Sequence, residues 1–254
     1  MNEENIQEEI LSKLKPHGFE NFHDKNKFGK NALMFTLDYN HTEKLYFNLN
    51  YLDYLIKNSN LLDKNEEGWN ALMFSLFLNN TEKLYLQEDQ WNYLLKNSDL
   101  SQITDMDANA LMFSVIYSHS QKINWTEHQW NYLIQHTDVT QKIPDQWNAF
   151  MYTLKNYDSN PKFIIHKIWE KMSEEQKQET FQSVCNAYQK KELHEKDILF
   201  VLYELRFKPS QKLINNLKIK KQEEVLQMIE KRNVLWNLKG ELSEENKSKN
   251  VFKI

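Results

Sequence analysis

A five-residue phrase that returns at a fixed interval limits what this chain can fold into. It reads Asn31-Ala32-Leu33-Met34-Phe35, then Asn70-Ala71-Leu72-Met73-Phe74, then Asn109-Ala110-Leu111-Met112-Phe113. A fourth, altered form is Asn148-Ala149-Phe150-Met151-Tyr152, and each phrase begins 39 residues after the one before. Self-similarity at this period marks a stacked architecture, in which a unit buries its apolar face only against its neighbours. The copies run at roughly 24–62, 63–101, 102–140 and 141–179, with Asp24 and Asp63 opening the first two.

Each copy reads as a pair of helices. The first begins at the Asn of the phrase, because an Asn side chain at the N-cap accepts an otherwise unpaired amide of the first turn. Its body is apolar on every side, as in 71–78, so neighbours must sandwich it. The column Thr36, Ser75, Ser114, Thr153 is small and hydroxylated; it admits close helix approach, and each hydroxyl can bond a carbonyl one turn back. Helix ends are expected at Asn40-His41, Asn79-Asn80 and Ser118-His119, followed by connectors at 42–45, 81–84 and 120–123. The second helix has its clearest start at Thr126-Glu127-His128-Gln129, a capping box. Trp91, Trp130 and Trp169 keep the same step, so the fourth copy extends to about Met172, and the column is expected to be packed between units.

Helices flank the copies. Residues 3–14 form an amphipathic helix ended by Pro16 and Gly18, with Phe19 and Phe22 tucked beneath the first copy. After Met172, Ser173-Glu174-Glu175-Gln176 opens a helix to about Lys191. Others are expected over 195–206 with Ile198, Val201, Leu202 and Leu205 inward, from Pro209 onward, and over 222–238 with Gly240 as the stop. The organisation is therefore all-α: an N-terminal capping segment 1–23, four two-helix units over 24–172, a C-terminal helical cap 173–242 and a frayed tail 243–254.

Composition supports helices, since 4 Gly and 4 Pro in 254 residues are few for the turns of an all-β or doubly wound fold. Charge is uneven: residues 1–160 hold 13 Lys/Arg against 22 Asp/Glu, and 161–254 hold 19 against 14. Cys185 is the one cysteine, so no internal disulfide forms, which fits a reducing compartment. The acidic N-terminus has no signal-peptide pattern, and no run approaches the length of a membrane span. A cytoplasmic protein without membrane association is expected, or one exported by a route that leaves no N-terminal signal.

The segment Asp63-x4-Gly68-Trp69-Asn70-Ala71-Leu72-Met73, its short helix, and the closing Leu94-Leu95-Lys96-Asn97-Ser98-Asp99-Leu100 resemble an ankyrin repeat. The likeness covers about 24–172 and implies an α-solenoid of four ankyrin-like units. There are departures. The period is 39 rather than about 33. Asn, Ala and Met replace the family's Thr, Pro and His. Gly is missing from the third and fourth turns, where Asp107 and Gln146 stand, which counts against the tight turn there.

No phosphate loop, metal-ligand spacing or nucleophile–base pattern occurs. His128 and His136 are two helical turns apart, too far for a shared metal. Cys185 sits on an apolar helix face. No catalytic residue, metal or cofactor is assigned, and the chain reads as a non-enzyme. By the resemblance, binding falls to the concave face formed by the turn tips and the first-helix edges. The variable positions just before the Asn column are Lys30, Trp69, Ala108 and Trp147; the candidate partner-binding residues are Lys30, Trp69 and Trp147 among them, with the flanking Phe28, Glu66, Glu67, Asp105 and Asp145. They vary while their neighbours hardly change, and Trp is a frequent interface anchor; equally, the two Trp can pack between adjacent turns. The expected partner is another protein with a basic surface, the chain serving as adaptor, effector or inhibitor. The alternative is nucleic-acid binding through Lys208, Lys212, Lys218, Lys220, Lys221, Lys231 and Arg232.

Overall fold

The structure, a computed structural model, describes residues 3–41, 48–79, 86–118, 125–157 and 161–251. Every regular element among them is helical, apart from isolated β-bridges pairing Lys25 with Asn31 and Ile103 with Asn109. The chain divides into two compact units, Met1–Lys171 and Met172–Ile254.

In the first unit, α1 (Glu3–Leu14) buries Ile10 and Leu14 and packs on α3. It runs into a 3-10 turn, Lys15–His17, closed by Gly18 at φ 89°. Phe19 and Phe22 are buried, their rings against Phe35 and Tyr54. The first helices are α2 (Ala32–His41), α4 (Ala71–Asn79), α6 (Ala110–Ser118) and α8 (Ala149–Lys155); the second are α3 (Leu49–Asn58), α5 (Glu88–Asn97), α7 (Glu127–His136) and α9 (Lys162–Lys171). Contacts follow sequence order. α2 packs on α4, α4 on α6 and α6 on α8, while α3 packs on α5, α5 on α7 and α7 on α9. The connectors expected at 42–45, 81–84 and 120–123 lie outside the described residues, as do Asn80 and His119.

Caps fix the helix starts. The Oδ1 atoms of Asn31, Asn70, Asn109 and Asn148 accept from the amides of Met34, Met73, Met112 and Met151 at 3.0–3.1 Å. The same side chains have a second task. Nδ2 of Asn31, Asn70 and Asn109 donates to the carbonyls of Asn60, Asp99 and Asp138 at 2.9, 3.0 and 2.7 Å. Each of these three Asn thus starts the first helix and ties down the loop leaving the second. Ser and Thr lack the reach and Asp lacks the donor, so only an amide serves both ends. The hydroxyls of Ser75, Ser114 and Thr153 bond carbonyls at Ala71, Leu111 and Ala149. Trp91, Trp130 and Trp169 are buried, and Trp125 lies edge-on to the first two.

Asn26, Asn65, Thr104 and Ile143 each donate an amide to a carbonyl four residues on, at 2.9–3.0 Å, closing a tight turn before each first helix. Its fourth residue has positive φ: Gly29 71°, Gly68 79°, Asp107 59° and Gln146 68°. The expectation that turns three and four depart from this geometry is therefore corrected. Main-chain closure holds Asp107 and Gln146 in a left-handed conformation that costs a non-glycine residue about 1–2 kcal/mol. At Gly68 the need for glycine is double, because a Cβ there would stand 2.8 Å from the Ile103 carbonyl oxygen. Successive turns are also joined: the Glu66 amide donates to Phe28 O at 3.2 Å, and the Asp105 amide to Glu67 O at 3.0 Å. The position 39 residues further is Pro144, which has no N–H to give, so this main-chain register ends at the third turn.

The second unit holds α10 (Glu174–Gln189), α11 (Glu195–Leu199), α12 (Gln211–Ile219) and α13 (Glu223–Val251). Ser173 and Gln176 cap α10 reciprocally, and Phe181, Val184 and Cys185 are buried beneath it. Four readings change. The helix expected over 195–206 widens into a π turn at Phe200–Glu204, leaving Leu205 half-buried. Pro209 precedes α12 rather than starting it; Ser210 is the cap, accepting from Leu213. Gly240 lies inside α13, which continues to Val251, since Gly stops a helix only when it turns left-handed. The last three residues, 252–254, lie outside the described set. Finally, Arg232 is not on a solvated face. It is 2% exposed, its guanidinium 3.9 Å from the Trp236 ring centre and bonded to Asn233 Oδ1 at 2.9 Å.

Candidate partner-binding rim

The turns before the first helices carry all eight residues singled out from sequence, and their main-chain closure decides where each side chain points. The second residue after the closing amide is the tip, and the tip column is Phe28, Glu67, Met106 and Asp145. At the first tip Phe28 is 51% exposed. Its amide and that of Lys30 are both held by Asn26 Oδ1, at 3.0 and 3.1 Å, and Asn65 Oδ1 does the same for Glu67 and Trp69. These Asx bonds free the tip side chains from any structural duty.

Phe28, Lys30, Asn65, Glu66 and Glu67 line one shallow hollow of about 250 Å³ between the first two turns. Four of the eight candidates therefore meet. Lys30 is half-buried, its amine 2.6 Å from Asp38 and 5.2 Å above the Phe74 ring centre, so its charge is already paired. Asp105 joins the group through the hydrogen bond that its main-chain N–H donates to Glu67 O. Asp145 and Trp147 stand on the fourth turn, beyond the break at Pro144.

The two tryptophans serve packing more than recognition. Trp69 is half-buried among Phe74, Phe77 and Phe113, with ring centres at 5.2, 5.5 and 4.7 Å. Trp147 is 7% exposed, against Tyr152 at 5.1 Å and under the Lys155 amine at 5.2 Å. The exposed apolar side chains of the third turn, Met106 at 69% and Ile103 at 41%, were not singled out from sequence. The available signal was position: Met106 falls in the same column as Phe28.

Electrostatically the rim is acidic from the second turn on. Glu66, Glu67, Asp105, Asp107 and Asp145 are exposed, and none has an ion pair among the described residues. Asp24, at the base of the first turn, is different. Hydrogen bonds from the Asn21 and Glu20 amides, at 2.9 and 2.7 Å, hold its carboxyl below the usual range. Burial, with Asp145 nearby, pushes the Tyr152 phenol up.

Elsewhere the polar groups are engaged. His136 Nδ1 is 2.7 Å from Tyr132 O and its ring stacks on Tyr132. Lys171 donates to the carbonyls of Ile134, Gln135 and Thr137, which end α7, and burial lowers its pKa. Burial raises the Cys185 thiol pKa far above its usual value, so it is not a ready nucleophile. Among the described residues no three His, Cys, Asp or Glu side chains lie close enough to hold a metal ion, and no helix is long and apolar enough to cross a membrane. Lys208, Lys212, Lys218, Lys220, Lys221 and Lys231 are exposed, with Glu223, Glu224 and Glu230 interleaved. Neither a scan against models of known families nor a search of curated proteins gives a match for this chain.

Proposed function

We propose that the chain is a non-catalytic protein-interaction module, an ankyrin-like α-solenoid over 24–172 that takes a basic-surfaced protein partner on its turn rim. A cytoplasmic adaptor, effector or inhibitor has this design. The observation that carries the reading is a contrast within the same turns. The Asn-Ala-Leu-Met-Phe framework is buried in the first three copies, and in the fourth only Tyr152 is half-buried, while the tips a few residues earlier are exposed, chemically varied and held by main chain and, in the first three turns, by Asn or Thr side-chain bonds within the turn. A turn that needs nothing from its tip side chain leaves that side chain to recognition. The row of contacts from α2 to α8, with its parallel row from α3 to α9, supports the solenoid. Exposed Phe28 and Met106 supply apolar anchors, and the unpaired carboxylates around them select positive charge and speed encounter.

The test is capture from extracts of the native host on the immobilised chain, with bound proteins identified by mass spectrometry. The expected result is a protein of basic surface whose capture by the triple variant Phe28→Ala, Glu66→Lys, Glu67→Lys falls at least about tenfold, or about 1.4 kcal/mol. Those side chains make no fold contact beyond the rim, so the variant should melt as the wild type does. Equal capture by a normally folded variant refutes the site.

A further inference from the structure

The two units present matching knobs of opposite charge. On the first, Met106 stands 69% exposed between Asp105 and Asp107, with Glu67 on the adjoining turn. On the second, Ile219 is 80% exposed at the end of α12, between Lys218 and Lys220 and followed by Lys221. All three lysines are exposed, and Lys220 makes only a long 3.4 Å bond to Asn186 Oδ1. Lys221 at φ 54° turns the chain sharply into α13, so the four residues project as one tip. Each knob has an apolar centre, a ring of one charge sign, and no ion pair among the described residues. The charge imbalance of the whole chain runs the same way, acidic before residue 160 and basic after it.

We propose that the occupant of these knobs is a second molecule of this chain. The Lys218–Lys221 tip of one molecule docks on the Asp105–Asp107 turn of another. Ile219 and Met106 then cover each other while lysines and carboxylates pair around them. The contact joins two different surfaces, so it is head-to-tail; it leaves one knob of each kind free and extends until a ring closes. Its footprint is small, so it belongs to the weak, salt-sensitive class of association. This goes beyond the capture of a different protein on the rim, and neither depends on the other.

Sedimentation of the full chain over a wide concentration range tests it. In about 0.1 M salt the average mass rises with concentration; in about 1 M salt, where the screening length shrinks from about 10 to about 3 Å, the rise is lost. Glu67→Lys with Asp105→Lys abolishes it, as does Lys218→Glu with Lys220→Glu. All four changes in one chain reverse two of the three charges in each knob, so that the net signs are exchanged, and restore the rise. Each variant is checked by its helical circular dichroism, and all four side chains are exposed, so folding is retained. A mass independent of concentration at low salt overturns the proposal, and so does a charge-exchanged chain that stays monomeric. A chain that captures a foreign partner yet never self-associates sinks this inference and leaves the proposed function standing.

Discussion

Asn70→Asp isolates the double role of the capping asparagine. Asn70 is fully buried; its Oδ1 takes the Met73 amide and its Nδ2 gives to the Asp99 carbonyl, both at 3.0 Å. Asn70→Ala removes the cap, about 1 kcal/mol, and leaves the part-buried Asp99 carbonyl only the long 3.4 Å bond from the Gln102 amide, about 1–3 kcal/mol. A loss of about 2–4 kcal/mol is expected at every pH. Asn70→Asp keeps the cap, and the helix N-terminus favours its charge by about 0.3–1 kcal/mol. It also sets a carboxylate oxygen where the amide donor stood, against a carbonyl and out of water, so the net loss at neutral pH is about 2–3 kcal/mol. Protonation turns that oxygen into a donor and restores both bonds. The folded-state pKa of the introduced acid is thus raised above its unfolded value of about 3.9, and the folded chain binds the proton first as pH falls. A deficit of about 2.7 kcal/mol corresponds to about two pKa units, so it closes between about pH 6 and pH 4. Urea unfolding followed by Trp fluorescence, with wild type as reference at each pH, measures this; groups titrating in both proteins cancel. A constant Asn70→Asp deficit, or none at neutral pH, refutes the account of the second hydrogen bond.

Gly68→Ala places a methyl 2.8 Å from the Ile103 carbonyl at φ 79°, and a loss above about 2 kcal/mol is expected by the same unfolding assay. Gln146→Gly releases a left-handed glutamine, and after the added unfolded-state entropy it stabilises by about 0.5–1 kcal/mol, read as a higher melting temperature. The Tyr188 phenol donates to Glu224 at 2.6 Å and, with burial, titrates at about 12. The stability this adds is present below the free tyrosine value near 10 and is lost as pH rises through about 12; Glu224→Gln should bring the midpoint seen by NMR of labelled tyrosine back toward 10. Cys185 should resist thiol reagents in the native chain and react fully in denaturant; rapid native labelling would contradict its burial.

Much of the first unit was legible because its determinants are local and repeat. A nearly all-apolar helix behind an Asn is a statement about period and capping, and Thr126–Gln129 carries its own start signal. The second bond of each Asn was not legible: it joins residues 29 apart, and spacing alone does not say that the loop after the second helix returns to the start of the first. Asp107 and Gln146 misled for a related reason, because non-local closure overrides a local preference worth only about 1–2 kcal/mol. The rim was half legible. Variation marked turns whose tips are exposed, but residue type pointed to the buried Trp147 and away from the exposed Met106, because exposure is set by place in the turn. In the second unit Gly240 was read as punctuation, although nothing there forces the left-handed conformation that would make it one.

Pro144 gives the row of turns a seam. Up to the third turn, each loop's backbone is held to the one before, so a change at one tip is constrained by its neighbour's course. Among the described residues no main-chain bond links the fourth loop to the third. The fourth loop's tip, residues 144–146, can be lengthened or exchanged while Ile143 and Trp147 keep the closing bond and the buried ring, which makes it the natural point of entry for redesigning this row of turns.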